Sequence, residues 1–177
     1  EDPPSSKKWY RPVACLSFAL NWFVHDNRVA GYHLVNLLIH WASAFLLYLS
    51  IRTLYQTPRL AGRSREEAGF TALLGAAFWA VNPVQTMAVT YIVQRMASLA
   101  ALFYLAGLWC YLRGRNHPQR RWRPVWLTAA LMAYLLALGS KENAVLLPMA
   151  LVLIEVIFYR SLGRKKPRRF SLLPFLG

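Results

Sequence analysis

Apolar positions fall into five long blocks separated by short polar connectors that are mostly basic. The blocks run from Tyr32 to Tyr55, Ala68 to Val81, Met96 to Leu112, Pro124 to Leu138 and Ala144 to Tyr159. Crossing about 30 Å of hydrocarbon takes roughly 20 helical residues. The first block meets that length, and the third meets it once an earlier start is allowed. The second, fourth and fifth reach it only if their ends extend into polar flanks or the bundle is locally thin. Five such blocks in a row predict an all-α polytopic transmembrane bundle rather than the buried helices of a soluble protein. A further stretch, Val13 to Val24, is too short to span. It is expected to lie in the membrane interface or dip back, with Asn21 and Trp22 at headgroup level. The pattern divides the chain into 1–31, a loop with a short interfacial helix; 32–160, a five-helix bundle; and 161–177, a basic loop leading towards another span.

Charge sharpens this picture. Charged residues make up only 16% of the chain against 56% hydrophobic, and mean hydropathy is +0.29. Yet 21 Lys and Arg face 7 Asp and Glu, a net charge of +14. So apolar a composition excludes intrinsic disorder. It also argues against a nucleic-acid-binding domain, whose basic face sits on a polar surface. Two cysteines, Cys15 and Cys110, form neither a disulfide framework nor a zinc site. Fifteen cations lie in three connectors: Arg52 to Arg65, Arg113 to Arg123, and Arg160 to Arg169. The other six are Lys7, Lys8, Arg11, Arg28, Arg95 and Lys141, in the alternate connectors. Basic loops stay in the cytoplasm, so the minority set is expected to face the outside or a lumen. Attraction to anionic lipid accounts for the rest of the basic-loop signal, above all at Arg164 to Arg169. The opening residues carry no signal-peptide pattern, and the closing FSLLPFLG resembles the first turns of a span. The chain therefore reads as an internal piece of a longer protein.

The minority cations sit beside the informative polar residues. His33, Asn36, His40 and Ser43 fall at steps of three, four and three, one helical face. A polar stripe within lipid faces protein or a water-filled cavity. The two histidines are about 10 Å apart along the axis, too far to share a metal ion. Asn82-Pro83 predicts an N-cap with Pro at the first helical position. The helix so begun would run to Leu112, about 45 Å, its excess projecting outward or bending along the surface. Arg95 would then lie some three turns inside it, where an Arg is costly and implies function. Gly139 is expected to end one helix and Ser140 to cap the next, leaving Lys141 against the helix dipole. Such a lysine suits an anionic ligand. Pro148 should bend the last span, and Glu155 should pair structurally with Arg160.

Tyr10-Arg11-Pro12, GYHLVNLLIH (31–40), NPVQTMAVTYIVQR (82–95) and SKEN (140–143) occur in that order. Together they resemble the transmembrane and tetratricopeptide-repeat O-mannosyltransferase-like proteins and their bacterial relatives, within the GT-C class of polytopic glycosyltransferases. The resemblance covers nearly the whole chain. It implies an enzyme that takes a sugar from a polyprenyl-phosphate donor and passes it to a protein or glycan acceptor on the outer face. The setting would be the bacterial inner membrane or the endoplasmic reticulum. It also implies an acidic base or metal ligand in a loop upstream of Tyr10; Glu1 and Asp2 are too close to match it. No cofactor is evident, and a divalent metal belongs to the expected full-length enzyme.

On this reading Arg11, Arg95 and Lys141 bind donor phosphate. Tyr10, His33, Asn36, His40, Gln85, Gln94 and Glu142 line the same cavity. Membrane lipid is the other expected partner, and nucleic acid is not one. The main alternative is a non-catalytic membrane scaffold or lipid-handling subunit that lacks the active-site loop. A transporter or channel fits less well, because no span carries a central carboxylate pair or a repeated broken-helix pattern.

Overall fold

A computed structural model of the chain describes residues 11–160, which include helices and no strand. Seven α-helices follow one another: α1 (Pro12–His25), α2 (Val29–Leu54), α3 (Arg65–Ala80), α4 (Thr86–Thr90), α5 (Arg95–Asn116), α6 (Arg123–Ser140) and α7 (Leu147–Ile154). Short 3₁₀ turns lead into α4, α5, α6 and α7, and a π turn, Glu155–Tyr159, closes the last span.

Four segments are long and apolar enough to cross a membrane: Val29–Leu54, Ile92–Asn116, Arg120–Ser140 and Glu142–Tyr159. The second expected span differs from the sequence pattern. At 16 residues α3 rises only about 24 Å, and it meets Pro83–Thr90 at a 55° bend. The two pieces together make a fifth, broken span. The helix expected to run unbroken from Pro83 to Leu112 is likewise interrupted. Tyr91 is extended (φ −99°, ψ 108°), so α4 stops there and the excess length bends instead of projecting. Asn82 does cap this segment: its Oδ1 accepts from Val84 N at 3.0 Å.

The packing is that of a membrane bundle. The buried apolar positions are mostly alanines, such as Ala72, Ala76, Ala133 and Ala137. Large residues such as Leu38, Trp41, Phe45, Phe78 and Val152 face outward. In lipid there is little to gain by burying Leu or Phe, so close backbone approach at small residues holds the helices together. Gly107 on α5 sits against Ala130, Ala133 and Leu147; a Cβ there would stand 3.1 Å from Leu147. Gly75 on α3 is shaped to Ile51 in the same way, at 2.9 Å. Outward Leu, Phe and Trp with alanine seams make this an integral membrane protein.

The helix ends sort into two groups. At one end Asn116 Nδ2 donates to Thr53 O at 3.1 Å, and Tyr159 Oη donates to Asn116 Oδ1 at 2.8 Å. Glu155 belongs to this basic end. It accepts from Tyr111 Oη at 2.8 Å and from Arg115 Nε at 3.2 Å, with a second Arg115 contact through Nη2. The partner of Glu155 is thus Arg115 from α5 and not Arg160, which closes the π turn through its backbone N–H to Glu155 O. At the opposite end α1 lies across the helix ends. Its first turn packs on α6, where a Cβ at Gly139 would stand 2.8 Å from Val13. Its last turn leads into α2 through Asp26, at φ 50°, with His25 packed on Gly31. Gly139 therefore serves close packing and not helix termination. The helix α6 continues through Ser140, whose Oγ donates back to Leu136 O. Pro148 stands where the 3₁₀ turn Glu142–Leu146 gives way to α7.

Candidate functional site

The end bridged by α1 gathers Arg11, Arg95 and Lys141, each with different surroundings. Arg95 is the first residue of α5, not one three turns inside a longer helix, because the chain breaks at Tyr91. Its side chain is 0% exposed. Nε donates to Asn36 Oδ1 at 2.7 Å and Nη2 to Tyr32 O at 2.9 Å. The guanidinium lies over the Phe18 ring at 4.7 Å and the Tyr32 ring at 5.3 Å. Nη1 has no hydrogen-bond partner, nor does Asn36 Nδ2. No carboxylate among the described residues pairs with this cation. A buried guanidinium held by neutral oxygens and aromatic faces keeps its whole charge uncompensated, which is costly in a low dielectric.

Arg11, at the start of α1, grips Glu142 with Nη2 at 3.1 and 3.0 Å. Its Nη1 reaches Met96 Sδ at 3.3 Å, so the residue ties α1 to α5 and to the turn before α7. Lys141 is the extended junction between α6 and that turn (φ −159°, ψ 144°). It lines a cavity of about 330 Å³ with Trp79, Ala97, Ala101, Tyr104, Asn143 and Ala144, among others. Small residues at steps of three and four on α5 open this groove, and Tyr104 and Trp79 wall it. No ion pair engages Lys141 among the described residues.

Of the polar stripe of α2, His33, Asn36 and His40 make interhelical hydrogen bonds, Ser43 bonds back within its own helix, and none of the four lines this cavity. The His33 ring donates from Nδ1 to Val89 O at 3.2 Å, and His40 from Nε2 to Ala80 O at 3.1 Å. A carbonyl can only accept, so each bond fixes the tautomer. His40 also stacks on Trp79 at 5.2 Å and so steadies a wall of the cavity. The stripe holds the bent α3–α4 segment against α2. Gln85 is half-buried in the turn before α4, and Gln94 is exposed in the turn before α5. Glu142 is exposed and engaged by Arg11. Tyr10 lies outside the described residues.

Among the described residues no three His, Cys, Asp or Glu side chains come together to hold a metal ion. Glu142 and Glu155 are each taken up by an arginine. Among the described residues the donor set does not fit a resident divalent ion. Sequence spacing missed Trp79, Tyr104 and Phe18. The alanines at 97, 100 and 101 were the available signal for the groove, since a small face at helical spacing marks close approach or a slot.

The architecture is that of a polytopic membrane protein with a cationic, partly apolar site at one end of its helices. No protein-family model matches the chain, and no solved structure matches it. Curated proteins do. It is 35% identical over 145 residues to protein O-mannosyl-transferase Tmtc1 of Drosophila melanogaster, covering 81% of this chain and 15% of that protein. It is 30% identical over 129 residues to protein O-mannosyl-transferase TMTC3 of Homo sapiens, 72% of this chain and 13% of the relative. Protein O-mannosyl-transferase F38B6.6 of Caenorhabditis elegans matches at 27% over 175 residues, 98% of this chain and 23% of the relative. The chain is homologous to the TMTC-family protein O-mannosyl-transferases. It spans less than a quarter of the length of each of these relatives.

Proposed function

We propose that this chain is part of a GT-C type membrane glycosyltransferase that moves mannose from a polyprenyl-phosphate donor to a protein hydroxyl on the extracytoplasmic face. The observation that carries the reading is Lys141, which makes no ion pair among the described residues, at a cavity otherwise lined mainly by alanines and aromatic rings. A polyprenyl phosphate has the matching chemistry: an apolar tail for the slot and an anion for the ammonium. In transfer, the acceptor oxygen attacks the anomeric carbon and the bond from that carbon to the phosphate oxygen breaks. The electron pair leaves on the phosphate, and the hydroxyl proton goes to a base. Lys141 stabilises the charge that grows on the departing phosphate.

Arg11 and Arg95 lie at the same end of the bundle without lining the Lys141 cavity. Arg11 is one side-chain rearrangement from exchanging Glu142 for phosphate. Arg95 brings an uncompensated positive charge and a free Nη1–H to the junction of α1, α2 and α5. The charge asymmetry of the connectors supports the orientation, with the basic end cytoplasmic. Among the described residues Glu142 and Glu155 are paired with arginine and no carboxylate lines the Lys141 cavity, so that cavity supplies no evident base. That observation favours one second reading, a non-catalytic scaffold that retains the lipid slot.

A photoreactive polyprenyl-phosphate analogue tests the proposal. Its lipid end is expected to label the Ala97 to Tyr104 face in the full protein, and excess polyprenyl phosphate to suppress the labelling. Labelling spread evenly over the lipid-facing surface would contradict it. Specific labelling without mannose transfer would favour the scaffold.

A further inference from the structure

At the basic end a second cavity, of about 390 Å³, is lined by Arg52, Tyr55, Gln56, Arg63, Ser64, Arg65 and Ala68. We infer that this cavity is a binding site for a phosphate group, separate from the donor site at the other end of the bundle. Three arginines line this cavity, and among the described residues only Arg63 of the three has an acidic partner, Glu67, at a loose 3.9 Å with both side chains more than half exposed. Arginines that share the lining of one cavity repel one another, and an anion among them relieves that repulsion.

The backbone holds the charges together. The loop from α2 to α3 is a run of tight turns, with N–H to carbonyl bonds of 3.0 Å from Gln56 to Thr53, Thr57 to Leu54, Leu60 to Thr57 and Arg63 to Leu60. Thr57 is 0% exposed and donates to Leu54 O at 2.7 Å. Arg59 fastens the loop to the last span by donating to Ile157 O at 2.9 Å. Arg52 comes from the last turn of a spanning helix, and Arg65 opens α3, whose positive dipole end points the same way chemically. Guanidiniums on a fixed loop, a hydroxyl, an amide and a phenol make a donor-rich setting for phosphate oxygens. The group is either the headgroup of an anionic lipid or a soluble phosphate.

The test uses the full protein purified in detergent. It is titrated with phosphatidylglycerol, with zwitterionic phosphatidylcholine and with inorganic phosphate, and bound species are read by native mass spectrometry. One near-surface cation is worth about a five-fold factor in lipid affinity. The triple variant Arg52→Gln, Arg63→Gln, Arg65→Gln should therefore lose roughly a hundred-fold in phosphatidylglycerol retention. The control Arg120→Gln, Arg121→Gln, Arg123→Gln removes the same charge at the same end from residues that do not line the cavity, and should lose clearly less than the cavity triple variant. The single variant Arg52→Gln, expected to lose about five-fold, carries the test if the triple variant does not purify as one species. Retention that resists inorganic phosphate assigns the site to a lipid headgroup, and displacement by it assigns the site to a soluble phosphate. Equal losses in the two triple variants, or equal retention of the two lipids with no phosphate binding, would overturn the inference.

Discussion

Replacing Asn36 by Ala removes the acceptor 2.7 Å from Arg95 Nε, while Tyr32 O and the Phe18 and Tyr32 rings stay in place. A hydrogen bond to a charged group contributes about 1.5–3 kcal/mol. Here the cation is fully buried and already has one unpartnered nitrogen, so the loss belongs near the upper end of that range. Phe18→Leu removes one cation–π contact of a desolvated guanidinium, about 1–2 kcal/mol. Both changes act through Arg95, so the double variant should depart from additivity by at least about 0.5 kcal/mol. The assay is thermal unfolding of the purified protein in micelles. At about 2–4 °C per kcal/mol, Asn36→Ala should lower Tm by roughly 5–10 °C. Ser43→Ala is the control. Ser43 is as buried and on the same helix, but its hydroxyl only returns to its own Ile39 carbonyl at 2.8 Å. Its loss should cost less than about 1 kcal/mol. Equal shifts for Asn36→Ala and Ser43→Ala, or strict additivity with Phe18→Leu, would refute the idea that Arg95 is held through Asn36 and Phe18.

Three further outcomes follow from the packing. Gly139→Leu places a Cβ 2.8 Å from Val13, so α1 must lift; amide hydrogen exchange in Pro12–His25 should rise by an order of magnitude or more while α5 and α6 stay protected. Glu155→Gln weakens the contacts of Tyr111 and Arg115 with the π turn that closes the last span, and unfolding measurements should register a loss of about 2 kcal/mol. Asn82→Ala deletes the cap on Val84 N and should cost about 1 kcal/mol, with Asn82→Ser restoring most of it.

Much of the fold was legible because lipid enforces long apolar runs, and α2, α5, α6 and the last span overlie the blocks seen in the sequence and extend a few residues past them. The breaks were harder to read. Nothing local to Tyr91 forbids a helix; it is extended because His33 takes Val89 O and Arg95 turns inward to Asn36, both long-range contacts. Gly139 looked like a helix end because glycine commonly is one, and its packing role appears only once α1 lies against it. The partner of Glu155 was misread for a related reason. Arg160 is nearer in sequence, but α5 and the last span run parallel, which brings Arg115 alongside Glu155 in a way that spacing does not reveal. Asn82 was readable because its cap lies within two residues of it. The cationic residues were legible as a set. Their separate settings, a carboxylate for Arg11, an enclosed polar nest for Arg95 and an open slot for Lys141, depend on helix orientation.

The central claim is that Lys141 meets the donor phosphate, and mannose transfer by the full protein in proteoliposomes tests it most directly. Lys141→Gln should lower kcat/KM for the polyprenyl-phosphate donor by about a hundred-fold, the scale for losing one charge-stabilising group. Tm should be unchanged, because Lys141 makes no ion pair among the described residues, and Lys141→Arg should restore part of the rate. Transfer at the parent rate in Lys141→Gln, with donor affinity intact, would contradict the account.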